Sequence, residues 1–276
     1  MNAACNLCDE TDFRVLETAA DGVRVVECVR CRLIFLNPFP EFENAAHYDA
    51  EYYRPWLEEQ ARQRVALWAK RADFLERFTR IGRLLDVGCG DGSFLRTAME
   101  RGWRVTGTEV SRWAGLSLRR TPGIAILEGD LLQIDQPAMS FDVVTMWHVL
   151  EHMERPLQTL IRARDLLTQS GIIIVAVPNA GFTLFRAAYP IARLRWLHYY
   201  TPGERELHLH HFTLDTLRAI LNKAGFEVIF EGIDESALRP ANILLEKASK
   251  AIRRLTGACW SEALLVVASK TGPLCL

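Results

Sequence analysis

No stretch of this sequence is long and apolar enough to cross a membrane. The longest strongly apolar run, 172–177, falls far short of the roughly 20 residues a spanning helix needs. The opening residues, Met1-Asn2-Ala3-Ala4-Cys5, lack the basic segment and apolar stretch of a signal peptide, so none is expected. Charge of one sign is missing too. The 33 basic and 34 acidic residues leave a net charge of −1, whereas a chain held to nucleic acid through phosphates carries a basic excess. Internal repeats and low-complexity tracts are also absent. The expectation is a cytoplasmic globular protein with no membrane span and no nucleic-acid partner. In that compartment its seven cysteines read as thiols or metal ligands rather than disulfides.

What is present is alternation. Beyond Arg83 the pattern gives strands over 84–87, 104–108, 125–127, 143–147, 172–177, 227–230 and 264–268. Helical stretches over 92–101, 113–119, 156–168, 214–224 and roughly 240–255 fall between most of them. Regular β-α-β order implies an α/β domain, a largely parallel sheet with helices on both faces. Residues 1–40 form a separate unit with four cysteines, β-like runs over 13–17 and 23–27, and a stop at Asn37-Pro38-Phe39-Pro40. Residues 41–80 link the two. They carry Tyr48, Tyr52 and Tyr53 and then a helical pattern over 55–79 with Trp56, Val65, Trp68, Phe74, Leu75 and Phe78, in which Pro55 suits the first turn. The main domain is then 81–276.

The sharpest local signal is Leu84-Leu85-Asp86-Val87-Gly88-Cys89-Gly90-Asp91-Gly92, an apolar strand entering a glycine turn before a helix. Gly88 and Gly90 allow a tight turn and close approach of a ligand to the free N–H groups of the helix start. A glycine triad alone is shared by several nucleotide-binding enzymes. Two acids sharpen it. Glu109, about 20 residues further on at the end of the second strand, is placed to accept from both hydroxyls of a ribose. Asp130, after the third strand, can accept from an adenine amino group, with Leu131 packing on the ring. The spacing Gly-x-Gly-x-Gly after an acid differs from the Gly-x-Gly-x-x-Gly of nicotinamide enzymes.

Asp86-x-Gly88-x-Gly90-x-Gly92, Glu109, Gly129-Asp130, Phe141-Asp142-Val143-Val144, His148-Val149-Leu150-Glu151-His152, Ser170-Gly171 through Pro178-Asn179, Phe212-Thr213 and Ala224-Gly225-Phe226 together resemble the class I S-adenosylmethionine (SAM) dependent methyltransferases. The resemblance covers roughly 40–270. It lies with the branch that includes quinone O-methyltransferases and methyltransferases of sugar and natural-product pathways. It implies a Rossmann-like seven-stranded sheet of order 3-2-1-4-5-7-6 with the last strand antiparallel, and SAM across the C-terminal strand edges. The cofactor-site residues it marks are Asp86, Gly88, Cys89, Gly90, Glu109, Val110, Asp130, Leu131 and Trp147. Tyr48 and Tyr53 are expected to fold over the cofactor as a lid, with faces suited to a sulfonium.

Cys5-x-x-Cys8 and Cys28-x-x-Cys31, 19 residues apart, offer four thiolates to one tetrahedral zinc ion. Four cysteines leave no coordination position for water, so the zinc reads as structural. The stretch from Cys28 to Pro38 resembles the zinc-ribbon leaders of some methyltransferases of this branch. Cys89, Cys259 and Cys275 stand apart from it.

Two histidine clusters could remove a proton from the methyl acceptor. In the first, His148, Glu151 and His152 follow the fourth strand, and His148 is the favoured base because a core strand fixes it. The resemblance adds an alternative, a divalent ion such as Mg2+ near Glu151 and His152. His148 stands where quinone O-methyltransferases carry a glutamate for that ion, which counts against it. The second cluster is His208-Leu209-His210-His211, in which His208 and His210 point the same way if extended and His208 or His211 could close over the acceptor. Between them an insertion, counted as 180–211 and richest in rings over 180–205, carries Phe182, Phe185, Tyr189, Trp196, Tyr199 and Tyr200 with Arg186, Arg193 and Arg195. It reads as an acceptor lid or as a solvated surface hairpin.

Met146-Trp147-His148 replaces the Asn/Asp-Pro-Pro-Tyr of adenine and glutamine amino-methyltransferases. The expected activity is methylation of a small hydroxylated metabolite such as a sugar, or a lipid- or quinone-like molecule. The alternatives are an RNA methyltransferase gripping RNA by its ribbon, and a silent SAM sensor. Arg14, Arg24, Arg30 and Arg32 against Asp9, Glu10, Asp12, Glu17, Asp21 and Glu27 make the ribbon acidic, and the intact glycine motif argues against silence. The acceptor's identity and the oligomeric state are not encoded legibly.

Overall fold

The chain enters as three short antiparallel strands, β1 (Phe13–Thr18), β2 (Arg24–Cys28) and β3 (Ile34–Asn37). Two helices follow, α1 (Ala50–Glu58) and α2 (Ala61–Leu75). The computed structural model describes residues 4–41, 48–58, 61–181, 198–234 and 261–271. The helix expected over 240–255, Cys259, Cys275 and the insertion's Phe182, Phe185, Arg186, Tyr189, Arg193, Arg195 and Trp196 lie outside the described residues.

Pro55 does not open a helix. Asp49 caps α1, accepting from the Tyr52 N–H at 2.9 Å, so Pro55 falls inside it. A proline cannot donate to the carbonyl four residues back. That carbonyl, Glu51 O, takes a hydrogen bond from Arg205 Nη2 at 2.8 Å instead. Val65, part of the expected helical pattern, is 69% exposed, while Ala72 and Leu75 are buried in the core and Trp68 and Phe74 pack against it.

The alternation after Arg83 builds one sheet from β4 (Arg83–Val87), β5 (Arg104–Glu109), β6 (Ile124–Glu128), β7 (Phe141–Trp147), β8 (Leu167–Pro178), β10 (Phe226–Ile233) and β11 (Ala263–Lys270). Helices α3 (Ser93–Glu100), α4 (Arg112–Leu118), α5 (Pro156–Leu166) and α6 (Leu214–Lys223) lie between them in sequence, and Leu150–His152 forms one 3-10 turn. The strand order is β6-β5-β4-β7-β8-β11-β10. Counted from β4 this is 3-2-1-4-5-7-6, with β11 antiparallel to both neighbours, as the resemblance implied. Successive residues feed opposite faces. Leu84, Val143 and Ile174 meet Ala72, Leu75, Leu95 and Ala98 on one side. Leu85, Val144 and Ile173 meet Leu157, Leu160, Leu217 and Ile220 on the other. With both faces covered, residues 172–177 of β8 read as an unbroken apolar run rather than an alternating one.

Two strands were not anticipated. β3 and the two-residue β9 (His210–His211) are too short to show a period, yet they pair antiparallel, Ile34 with His211 and Phe35 with His210. The ribbon thus becomes a four-stranded sheet of order β1-β2-β3-β9. Its inner residues Cys5, Leu7, Cys28, Leu33 and Phe35 share one buried cluster with Phe212, Leu217 and Leu221 of the main domain.

Candidate active site

Because β4, β5, β6, β7 and β10 run the same way, their C-terminal ends meet along one sheet edge. There the polar strand ends and the turns after them line a cavity of about 870 Å³. Gly88 has φ +65°, and a Cβ there would meet the Val149 methyls at 2.8 and 2.9 Å, so only glycine fits the turn.

Glu109 holds this turn to β5. Its Oε2 accepts from the Gly90 N–H at 2.7 Å and its Oε1 from the Ser111 N–H at 2.8 Å. Burial raises its pKa, against those two bonds, which lower it. Asp86 is not on the cavity wall. It lies beneath the turn, 3% exposed, where the Thr145 hydroxyl donates to its Oδ1 at 2.6 Å. Burial pushes its carboxyl up to about 7, against Thr145 and Arg71. Asp130, Leu131, Cys89, Val110 and Trp147 all reach the wall.

Tyr48, Tyr52 and Tyr53 close one side of the cavity. Tyr53 stacks on Trp113 with centroids 5.3 Å apart, and a Cβ at Gly90 would lie 3.2 Å from its ring. The Ser111 hydroxyl donates to the Tyr48 carbonyl. Burial raises the phenol pKa of all three, so they stay neutral.

The histidines separate into different surroundings. His148, His152 and His208 line the cavity; His211 does not, being paired with Ile34 in the ribbon sheet. His210 is buried between Phe35 and Phe212, and burial lowers its pKa to about 3. It therefore does not share the surroundings of His208, as an extended strand had suggested.

His148 is held between two carboxylates. Its Nε2 lies 3.0 Å from Asp234 Oδ2 and its Nδ1 3.6 Å from Glu151 Oε1. Burial opposes the charged ring, but 31% of the side chain is open to the cavity, and the two carboxylates prevail and raise the pKa to about 9. His148 is then a held cation at neutral pH. It also sits at φ +56°, an uncommon conformation for a non-glycine residue. His152 is oriented differently: its Nδ1–H donates to the Leu207 carbonyl at 2.6 Å, which leaves Nε2 as the acceptor. His208 meets it edge-on at 4.9 Å, and burial lowers its pKa to about 4, against Glu151. Glu151 is 1% exposed with neither carboxylate oxygen hydrogen-bonded. The ligand atoms of Glu151, His152 and His208 lie within 4.8 Å of one another, close enough to hold one cation.

Two contributions were not foreseen. From α2, Arg64, Trp68 and Arg71 line the cavity. The Arg71 guanidinium lies 4.7 Å from the Trp68 ring centroid and 4.5 Å from that of Trp147, and it binds Asp234. Asp234 directly follows β10 as Glu109 closes β5, and this shared position, an acid at the C-terminal end of a strand, was the available signal. Arg71 had none, because its burial depends on the two tryptophans that flank it.

In the ribbon, the cysteine sulfurs also lie within 4.8 Å of one another, with Cys5 and Cys31 at 3.4 Å and Cys8 and Cys28 at 3.5 Å. The four thiols thus converge as a tetrahedral ion requires.

A family model described as a methyltransferase domain matches residues 56–231, more than half of the chain. The chain belongs to this methyltransferase family. A Mycolicibacterium smegmatis protein named "Probable S-adenosylmethionine-dependent methyltransferase" is 26% identical over 194 residues, 66% of this chain and 68% of that protein. A ubiquinone biosynthesis O-methyltransferase of Marinobacter nauticus is 29% identical, over 51% of this chain and 67% of its own length. Among solved structures, a Burkholderia thailandensis 1,6-didemethyltoxoflavin-N1-methyltransferase with bound S-adenosylhomocysteine superimposes with a TM-score of 0.56 at 16% identity, covering 95% of this chain and all of that one. At that identity the likeness is one of fold. The protein is a SAM-dependent methyltransferase. Among the described residues, no helix is long and apolar enough to cross a membrane.

Proposed function

We propose that the protein methylates a hydroxyl of a small metabolite. The observation that carries this is the acceptor-rich end of the cavity beside β7. The Glu151 carboxylate makes no hydrogen bond, its one ion pair being with His148 at 3.6 Å, and His152 has its Nε2 free because Nδ1 is tied to Leu207. Such a site matches a ligand that presents O–H donors. The curated relatives named as ubiquinone O-methyltransferases, about 28% identical, support an oxygen acceptor.

SAM would be held by the glycine turn at Gly88, Cys89 and Gly90, by Glu109 toward the ribose, by Val110, Asp130 and Leu131 around the adenine, and by Tyr48 and Tyr53 over the sulfonium. The bare backbone at Gly88 and the buried Glu109 carboxylate fit that ligand. When bound, SAM supplies the activated methyl group. The chain's own residues then align the acceptor, which provides much of the rate. His152 takes the hydroxyl proton at Nε2, and Glu151 and His208 hold the hydroxyl beside it. His148, a fixed cation, keeps Glu151 ionised; burial raises the pKa of Glu151 but its histidine neighbours bring it below the ordinary value.

A second mechanism uses the same residues. Glu151, His152 and His208 form a two-histidine, one-carboxylate set that would hold a divalent ion and acidify the hydroxyl. An acceptor screen of hydroxylated metabolites, read by S-adenosylhomocysteine release with and without chelator, tests both. Turnover that survives chelation supports the histidine base, and turnover restored by magnesium supports the ion. Methylation confined to amines would overturn the hydroxyl assignment.

A further inference from the structure

The zinc ribbon and the acceptor end of the cavity are joined by one short segment of chain. Residues 207–211 face the ribbon on one side and the turn after β7 on the other. Toward the ribbon, the Leu209 carbonyl accepts from the Leu36 N–H at 3.0 Å, β9 pairs with β3, and Asn6 Nδ2 lies 3.2 Å from His210 Nε2. Toward the catalytic turn, the Leu209 N–H donates to the Glu151 carbonyl at 2.8 Å, and the Leu207 carbonyl receives the His152 Nδ1–H at 2.6 Å. His208, between those two residues, lies on the cavity wall against His152. The cluster beneath is common property as well, since Cys5 and Cys28 pack with Phe212.

The geometry points to the Cys5, Cys8, Cys28, Cys31 ribbon as the positioning wall of the acceptor site: through β3 it fixes residues 207–211, and through them His208 and the imidazole of His152. A ribbon used to grip RNA or protein would gain nothing from surrendering the edge of β3 to the main domain. Here that edge is spent on the strand that carries His208. The physical case rests on how little else holds the segment. β9 has two residues, and a strand that short has no stability unless its partner is rigid. The partner, β3, has four residues in a ribbon whose own order depends on its metal. Order should therefore pass from the zinc to β3, to β9 and to the two imidazoles. The SAM side takes a separate route, because the glycine turn and Glu109 hang on β4 and β5 in the middle of the large sheet. This inference rests on placing the acceptor at Glu151, His152 and His208, but its test needs no acceptor.

Two variants separate the steps. Cys31→Ser takes one ligand from the zinc. Leu36→Pro leaves the cysteines intact and deletes the one N–H of β3 that reaches Leu209, while Val25 still faces the same residue from β2. Zinc content, amide hydrogen exchange, the Nδ1–H proton resonance of His152 and SAM affinity by calorimetry would be followed in both. In Cys31→Ser, zinc should be lost; in Leu36→Pro it should stay near one per chain. In both, the amides over 207–211 should exchange about a hundredfold faster and the His152 Nδ1–H signal should broaden or vanish. SAM affinity should remain within about twofold of wild type, since the glycine turn and Glu109 hang on β4 and β5. An unchanged His152 signal in either variant would overturn the proposal. So would a loss of SAM binding that matches the loss of the histidine signal, because the ribbon would then support the whole fold rather than the acceptor side.

Discussion

Replacing Glu109 with glutamine changes one charged oxygen for an amide and leaves the volume almost constant. The carboxylate has two duties in the structure. Within the free protein it accepts from the Gly90 and Ser111 N–H groups at 2.7 and 2.8 Å. Toward SAM, its lone pairs are the proposed partners of the ribose hydroxyls. In Glu109→Gln the amide nitrogen must face one of the two backbone donors, so one buried N–H loses its partner, at a cost of about 1–3 kcal/mol of stability. For a chain of this size that is a fall in Tm of several degrees, roughly 2–4 °C per kcal/mol. A charge-assisted bond to a ribose contributes about 1.5–3 kcal/mol, so SAM should bind about 10- to 150-fold more weakly. Calorimetry at a temperature well below both melting points separates the two effects. S-adenosylhomocysteine carries the same ribose without the sulfonium and should lose the same factor. Affinities within twofold of wild type for both ligands would refute the ribose contact. A loss for SAM alone would assign Glu109 to the sulfonium instead.

Asp86 predicts a pH dependence. Burial holds its carboxyl up near 7, so the free protein keeps the proton through the pH range in which an ordinary aspartate has lost it. A raised acid costs stability as pH climbs from the usual carboxylate range through 7, and a cationic ligand over the turn favours its ionised form. SAM affinity should therefore rise about fivefold between pH 6 and pH 7 and level off above, and Asp86→Asn should flatten that slope in calorimetry. Zinc should be present at one equivalent per chain; elemental analysis well below one, with all four ribbon thiols titratable in the native protein, would refute the ribbon assignment. On an acceptor found by screening, His152→Ala should lower kcat by about 10²–10⁴-fold with SAM affinity unchanged, and near-wild-type turnover would exclude it as the base. Asp234→Ala strips the buried Arg71 of its counter-ion and should cost about 3–5 kcal/mol in denaturant unfolding, whereas a loss below 1 kcal/mol would show that Arg71 finds another partner.

The sequence by itself determined the sheet and the order of the residues along its C-terminal edge. The buried stretch 172–177 of β8 is apolar throughout, helices such as α6 carry a 3.6-residue stripe and a threonine cap at Thr213, and the glycine turn, Glu109 and Asp130 occur in fixed order along consecutive strands. These are local signals: period, cap and turn are written within a dozen residues. The insertion 180–211 was legible only as a lid or a surface hairpin, and what the structure describes of it beyond residue 181, residues 198–211, ends as a strand of the ribbon. His148 was favoured as the base because its place after β7 is local information. Its partner is not local, since Asp234 lies 86 residues away and arrives through β10. The same holds for Arg71, for the orientation of His152 by Leu207, and for the joining of β3 to β9. Each depends on two segments distant in sequence sharing one low-dielectric space, where the energy of a charge or a hydrogen bond is set by its neighbours and not by its own residue type.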